Sequence, residues 1–278
     1  MSPRFFVGTA GIPHSTRPVD GEDLTSAGVR KIRELGLDSM EIEFVRGVYL
    51  KSEEQANSIK TYAEKFQIIL TAHAPYYINL GNPEKLISSE QIILKTLNVA
   101  AKVGIKSIAF HPAYYKGEDP ELIFQRVKKS LSKILFVAKK KGYNVELRPE
   151  TAGRVSQFGS LDEIIRLVKE VEGLKPCFDF AHIYSRSKGE VNGYDGFMRV
   201  LEKINNELGD WALKDMHCHI EGIEFDGAGE RRHLNFSESG FDVKGLAKAL
   251  KESGASGIVI CESPSLEHDA LYLKEYLS

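Results

Sequence analysis

Residues 177–182 read Cys-Phe-Asp-Phe-Ala-His, an apolar run that delivers a carboxylate, Asp179, and three residues later an imidazole, His182. Carboxylate oxygen and neutral imidazole nitrogen are donors that zinc and manganese take, and a strand end holds them still while leaving one side open to a substrate. Alone, the pair is better explained as an aspartate opening a loop and a histidine packed at a rim. The arrangement recurs, however, along the chain. His73, His111, Glu150, the pair His217 and His219, and Glu262 each stand at or just beyond the end of a short apolar run. With His233, six of the eight histidines occupy such places, where random placement would scatter them.

The elements that must position these residues follow a simple alternation. Strand-like runs over residues 4–8, 39–44, 68–71, 107–110, 145–147, 176–180, 214–220 and 257–261 are each followed by a segment of helical spacing. Those helical segments cover 24–35, 52–65, 89–103, 120–141, 161–171, 193–208, 243–252 and 266–276, with Ser52 a cap ahead of Glu53 and Glu54. Short, continuous apolar strands imply burial on both faces, and strict β-then-α order implies a parallel sheet. Eight such units predict an α/β fold, a closed (β/α)8 TIM barrel forming one domain over residues 1–278.

Bulk properties bound the function. An apolar fraction of 42%, a charged fraction of 27% and a net charge of -2 are those of an ordinary globular protein, with no global basic excess to advertise a polyanionic partner. No apolar run reaches membrane-spanning length, and the N-terminal residues go straight into a strand-like run without a signal-peptide pattern, so a cytoplasmic protein with no membrane partner is expected. Cys177, Cys218 and Cys261 are widely spaced within apolar runs and read as small core residues, not as a redox or structural zinc motif.

In a barrel of this kind the strand ends face one mouth. Carboxylates and imidazoles crowded there would repel or be wasted unless cations bridged them, so a metal centre is the favoured reading. Six or more ligands exceed the needs of one tetrahedral zinc, which points to two or three ions; paired ions suit phosphoester hydrolysis.

These residues also carry a resemblance. Thr71-Ala72-His73-Ala74-Pro75-Tyr76-Tyr77-Ile78-Asn79-Leu80-Gly81-Asn82-Pro83 resembles the third-strand segment of the endonuclease IV family of apurinic/apyrimidinic endonucleases, notably its archaeal-type branch within the xylose-isomerase-like barrels. Phe110-His111-Pro112, Glu150-Thr151-Ala152-Gly153, Phe178-Asp179-Phe180-Ala181-His182 and Ile260-Cys261-Glu262-Ser263-Pro264 are similar as well, in the same order over nearly the whole chain. The resemblance implies a zinc-dependent hydrolase that cuts damaged double-stranded DNA 5′ to an abasic site with a zinc-activated hydroxide, and implies no protein partner. Manganese is the alternative metal. His73 and His111 would hold one zinc, with Glu150 bridging to a second completed by Asp179, His219 and Glu262; His182 and His233 would hold a third. Glu150, nearest the attacking hydroxide, is the catalytic candidate. His219 is favoured over His217 because it lies nearer the C-terminal end of its strand, and His217 stays the alternative.

Two departures stand out. The family's fifth strand runs from the bridging Glu through Asn to Thr-Ala-Gly, whereas here Arg148-Pro149-Glu150 directly precedes Thr151; Glu146 is the weaker candidate for the bridge. The family's third zinc uses an Asp two residues before the loop histidine, where this chain has Arg231, so Glu230 or Asp226 must substitute. Tyr76 and Tyr77 follow His73 where relatives place residues that enter DNA at the lesion, and Arg46 is a candidate wedge or phosphate contact. The lysines of residues 120–141 read as a solvated outer face. The alternative function is a sugar isomerase or epimerase with one divalent ion at Glu150, Asp179, His219 and Glu262.

Overall fold

The computed structural model describes residues 4–45 and 47–278. Its eight-stranded parallel sheet comprises β1 (Phe5–Ala10), β2 (Ser39–Glu43), β3 (Ile69–His73), β4 (Ser107–Phe110), β5 (Glu146–Pro149), β6 (Phe178–Asp179), β7 (Met216–Ile220) and β8 (Gly257–Cys261). The strands run β5-β4-β3-β2-β1-β8-β7-β6. A parallel bridge between Glu150 and Cys177 joins the two ends, with Cys177 N donating to the Pro149 carbonyl at 3.0 Å and Thr151 N to the Cys177 carbonyl at 3.2 Å. The barrel is closed, as the eight-unit alternation predicts.

Eight helices follow the strands: α1 (Leu24–Glu34), α2 (Glu53–Phe66), α3 (Leu86–Val103), α4 (Pro120–Lys140), α5 (Leu161–Glu170), α6 (Gly193–Leu208), α7 (Val243–Glu252) and α8 (Glu267–Leu277). Their starts are written in local chemistry. Ser52 accepts from Gln55 N, Asp119 caps α4 ahead of Pro120, and Ser160 with Glu163 forms a reciprocal capping box on α5. Each such cap stabilises its helix by about 1 kcal/mol. On α4 the apolar face Ile123, Val127, Leu131 and Ile134 is buried against the barrel. Its lysines lie outside that face, where Lys128 pairs with Glu170 and Lys133 with Glu90, the solvated surface expected of them. Among the described residues no helix is long and apolar enough to cross a membrane.

Three features differ from the sequence expectation. Asp179 leads directly into a short helix, Phe180–Arg186, in place of a loop, because its side chain accepts from His182 N at 2.6 Å and so caps that helix. The segment expected as a long loop after β7 is an antiparallel hairpin, Gly222–Asp226 with Gly229–Leu234. Ala113–Tyr114 and Gln157–Phe158 form a further small antiparallel pair over the mouth side of β4 and β5.

The barrel interior is polar. Because side chains alternate along a strand, Ser39, Glu41 and Glu43 of β2 share one face, as do His217 and His219 of β7. Thr71 Oγ1 donates to Glu41 Oε2 at 2.8 Å, and Ser107 Oγ meets His217 Nδ1 across the barrel at 3.1 Å. At the opposite end from the mouth, Arg148 is almost fully buried and bonds Glu146 Oε2 at 2.7 Å and Asp215 Oδ2 at 3.0 Å. Glu146 also pairs with Lys175, so it belongs to this floor and not to the mouth. Removing one partner of such a buried network costs about 3–5 kcal/mol.

Candidate metal centre

Glu150 follows β5 and stands at the centre of the mouth. Its Oε2 lies 3.0 Å from His73 Nε2 and 3.6 Å from His111 Nε2, and its Oε1 lies 3.1 Å from His219 Nδ1 and 3.4 Å from His182 Nδ1. The carboxylate thus reaches two groups of imidazoles, one on each oxygen. His73 Nδ1–H donates to the Ala74 carbonyl at 2.7 Å, which leaves the lone pair of neutral Nε2 pointing at a carboxylate. Only a proton or a cation between them relieves that contact. Burial opposes charge on His73, yet the Glu150 carboxylate outweighs it and lifts the imidazole to about 9. Buried His111, farther from Glu150, is instead pushed down to about 4.

A second group adjoins the first. Asp179, buried at the end of β6, has Oδ2 without a hydrogen bond among the described residues though 3.2 Å from His182 Nδ1, while His219 Nδ1 faces both Glu150 Oε1 and Glu262 Oε1, the latter at 2.9 Å. Burial pushes the Asp179 carboxyl up to about 8; at Glu262 the nearby His219 overrides burial and brings the carboxyl to about 2. Glu150, Asp179 and His219 offer ligand atoms within 4.8 Å of one another. His217, the alternative ligand, sits one layer deeper, between Ser107 and Glu41, so His219 is the β7 histidine at the mouth.

His182 begins a third group. Its Nδ1–H donates to the Thr151 carbonyl at 2.9 Å, and its Nε2, unpartnered, faces Glu230 Oε2 at 3.4 Å. Glu230 Oε1 in turn lies 3.7 Å from His233 Nε2. The sequence pattern puts Arg231 where a carboxylate is wanted. In the hairpin Phe225 pairs with Glu230 and Glu224 with Arg232, so the strand bulges at Arg231. One extra residue reverses the alternation, which turns Glu230 to the face of His233 and leaves Arg231 outside, exposed beside Asp226. Asp226, the other candidate substitute, is therefore away from the group. Gly153 lets the group assemble, since a Cβ there would stand 2.7 Å from Glu230 Cβ and 2.9 Å from His182 Cδ2.

Every first-choice ligand expected from the sequence thus reaches one mouth, and three acids outside that expectation join them. Glu41 Oε1 stands 3.0 Å from His219 Nε2 and its Oε2 3.2 Å from His217 Nε2. Glu43 is partly buried, with Oε1 sequestered and unpartnered among the described residues, and desolvation pushes its carboxyl up to about 8. Glu221, fully buried, has both oxygens unpartnered. Separations of 2.9–3.7 Å between donors of opposed groups are close to the edges of about 3.4 Å that ligands make around a small divalent ion bound at about 2.1 Å. Together with the unpartnered atoms of Asp179 and His182, this donor set fits divalent metal.

Above the ligands, Tyr76 lies with its ring centroid 4.8 Å from that of His73 and stacks on His111 at 5.9 Å. Tyr77 turns outward and is about half exposed. Arg46 lies outside the described residues.

The sequence model of the xylose isomerase-like TIM barrel family matches residues 29–277. The chain belongs to that family. An uncharacterized protein of Methanocaldococcus jannaschii is 47% identical over 268 residues, 96% of this chain and 94% of the relative. A probable endonuclease 4 of Bacillus velezensis is 30% identical over 183 residues, so the match spans 62% of this chain and 59% of that relative's length. One from Aquifex aeolicus is 24% identical over 84% of this chain and 86% of its own. Among solved structures, endonuclease IV from Thermus thermophilus superposes with a TM-score of 0.70 at 20% identity, covering 93% of this chain and 94% of that one. A D-tagatose 3-epimerase-like protein superposes equally, TM-score 0.70 at 20% identity over 91% of each chain. Both structural likenesses are of fold. The same fold is thus found in an endonuclease IV and in an epimerase-like protein alike.

Proposed function

We propose that this chain is a metal-dependent DNA-repair endonuclease of the endonuclease IV type, cleaving the phosphodiester 5′ to abasic sites in double-stranded DNA. The observation that carries the reading is the two-sided Glu150 carboxylate, with His73 and His111 on one oxygen and His219 and His182 on the other. A carboxylate so placed would bridge two ions. His73, His111 and Glu150 would hold one ion; Glu150, Asp179, His219 and Glu262 a second; His182, Glu230 and His233 a third, with zinc the expected metal and manganese the alternative. When bound, the two ions sharing Glu150 would lower the pKa of a water nucleophile and neutralise charge gathering at phosphorus. The chain's own residues fix the geometry: the Ala74 and Thr151 carbonyls set the tautomers of His73 and His182, Tyr76 covers the His73–His111 side, and Tyr77 projects where a displaced base could stack. The protein loaded with zinc, manganese or cobalt should incise a duplex carrying one abasic analogue; absence of incision with all three metals overturns the proposal.

The second reading is a sugar isomerase or epimerase with one ion at Glu150, Asp179, His219 and Glu262, favoured by the equal superposition on the epimerase-like fold. It leaves His73, His111, His182 and His233 without a ligand role. One ion per chain in the purified protein would select it.

A further inference from the structure

Glu221 directly follows β7 and is fully buried, yet neither of its carboxylate oxygens has a hydrogen-bond partner among the described residues. Its Oε1 faces His233 Nε2 at 3.9 Å, the nitrogen that also stands 3.7 Å from Glu230 Oε1. The charged side chains around it are Asp179, His182, His219 and Glu262. A buried carboxylate with two idle oxygens is costly unless a cation or a proton satisfies it.

We infer that Glu221 is a fourth protein ligand of the ion held by His182, Glu230 and His233. The inference rests on the three-ion reading and adds to it a role for that ion. Three protein donors leave a fourth position open to water or substrate, whereas four donors unshared with a neighbouring ion, unlike the set that borrows the bridging Glu150, close a tetrahedral site, the arrangement of a structural metal. The four donors come from separate pieces of chain: Glu221 from the end of β7, His182 from the short helix, and Glu230 with His233 from the outer strand of the hairpin. Such an ion pins the hairpin against the barrel mouth and does not itself take up substrate.

Zinc retained by the zinc-loaded full chain after exhaustive dialysis tests this. Wild type should keep three ions, Glu221→Gln two, His233→Asn two, and the double variant still two, because both side chains serve one ion. Three ions retained by a folded Glu221→Gln overturn the inference and leave the three-ion reading standing; fewer than three in wild type overturn both. A second measurement uses the wild-type protein alone. Under graded chelation the closed site should release its ion last, and trypsin should cut after the exposed Arg231 and Arg232 only once it has gone. Cleavage there as soon as the first ion leaves overturns the inference.

Discussion

Glu41 Oε1 stands 3.0 Å from His219 Nε2, the ring nitrogen remote from the one that faces Glu150 and Glu262. Its other oxygen is anchored by Thr71 Oγ1 at 2.8 Å. Glu41 Oε1 is the acceptor nearest Nε2, and a proton held on that nitrogen would leave Nδ1 a lone pair for a metal, so Glu41 is a positioning residue that acts through His219. Glu41→Gln should weaken zinc binding at the Glu150–Asp179–His219–Glu262 site by about 10–100-fold, the range for outer partners of metal-bound histidine. Competition against a chelator gives the affinity, and imidazole nitrogen spectra of the zinc-loaded protein should show His219 losing its fixed Nε2–H tautomer. Unchanged affinity and tautomer would remove Glu41 from this role.

The metal-free protein should lose stability as pH rises. Asp179 and Glu43, pushed up to about 8, hold protons when folded that they release when unfolded, so their contribution declines from about pH 4 to 8. His73, raised to about 9, adds a decline from about 6.5 upward. His111, lowered to about 4, works the other way but only below its unfolded value of 6.5. The fall is therefore steepest between pH 6.5 and 8, where all three raised groups act in the same direction. Tm should drop over that interval without zinc and hold with it, and zinc binding at pH 7 should release protons, seen as a dependence of binding heat on the buffer. A flat metal-free Tm from pH 6.5 to 8 would contradict this.

Asp179→Asn and His182→Asn should separate the two functional readings. Asp179 lies in the group shared by both, so its loss should abolish either activity. His182 belongs to the hairpin group, with Nε2 facing Glu230. Its replacement should cost incision at least about tenfold, by analogy with ligand-shell losses, while a sugar enzyme with one ion would retain its turnover. Steady-state rates of both variants on the abasic duplex and on ketose substrates decide the matter.

Barrel closure, the order of elements and the convergence of the candidate ligands on one mouth are legible from spacing, because β-then-α alternation and period-two strands leave few other topologies. What stays hidden depends on pairing. Arg231 reads in the sequence as a disruption of the hairpin group, but a bulge is a property of two strands, and only the pairing of Phe225 with Glu230 shows that Glu230 takes the inward face. Glu41 and Glu43 carry a usable signal: two acids at alternate positions of an otherwise apolar strand share a face, and a face of a barrel strand is either interior or packed by helices. Glu221 gives no comparable sign, since one acid after an apolar run is ordinary and its full burial is a property of the folded chain.

Tyr77 supplies a prediction that touches DNA without touching metal. Tyr76 packs on His73 and His111, so replacing it would disturb the ligands as well as the mouth. Tyr77, 49% exposed and next in the chain, lacks such a contact among the described residues. If it stacks on a base beside the lesion, Tyr77→Ala forfeits about 1–3 kcal/mol of binding, or about 5–150-fold in Kd. Fluorescence anisotropy with an abasic duplex should record that weakening while metal content and Tm stay at wild-type values. The same variant should bind an undamaged duplex as wild type does, because an intact stack offers the ring no gap to enter; equal weakening on both duplexes would reduce Tyr77 to a general surface contact, and no weakening on either would place the lesion elsewhere on the mouth.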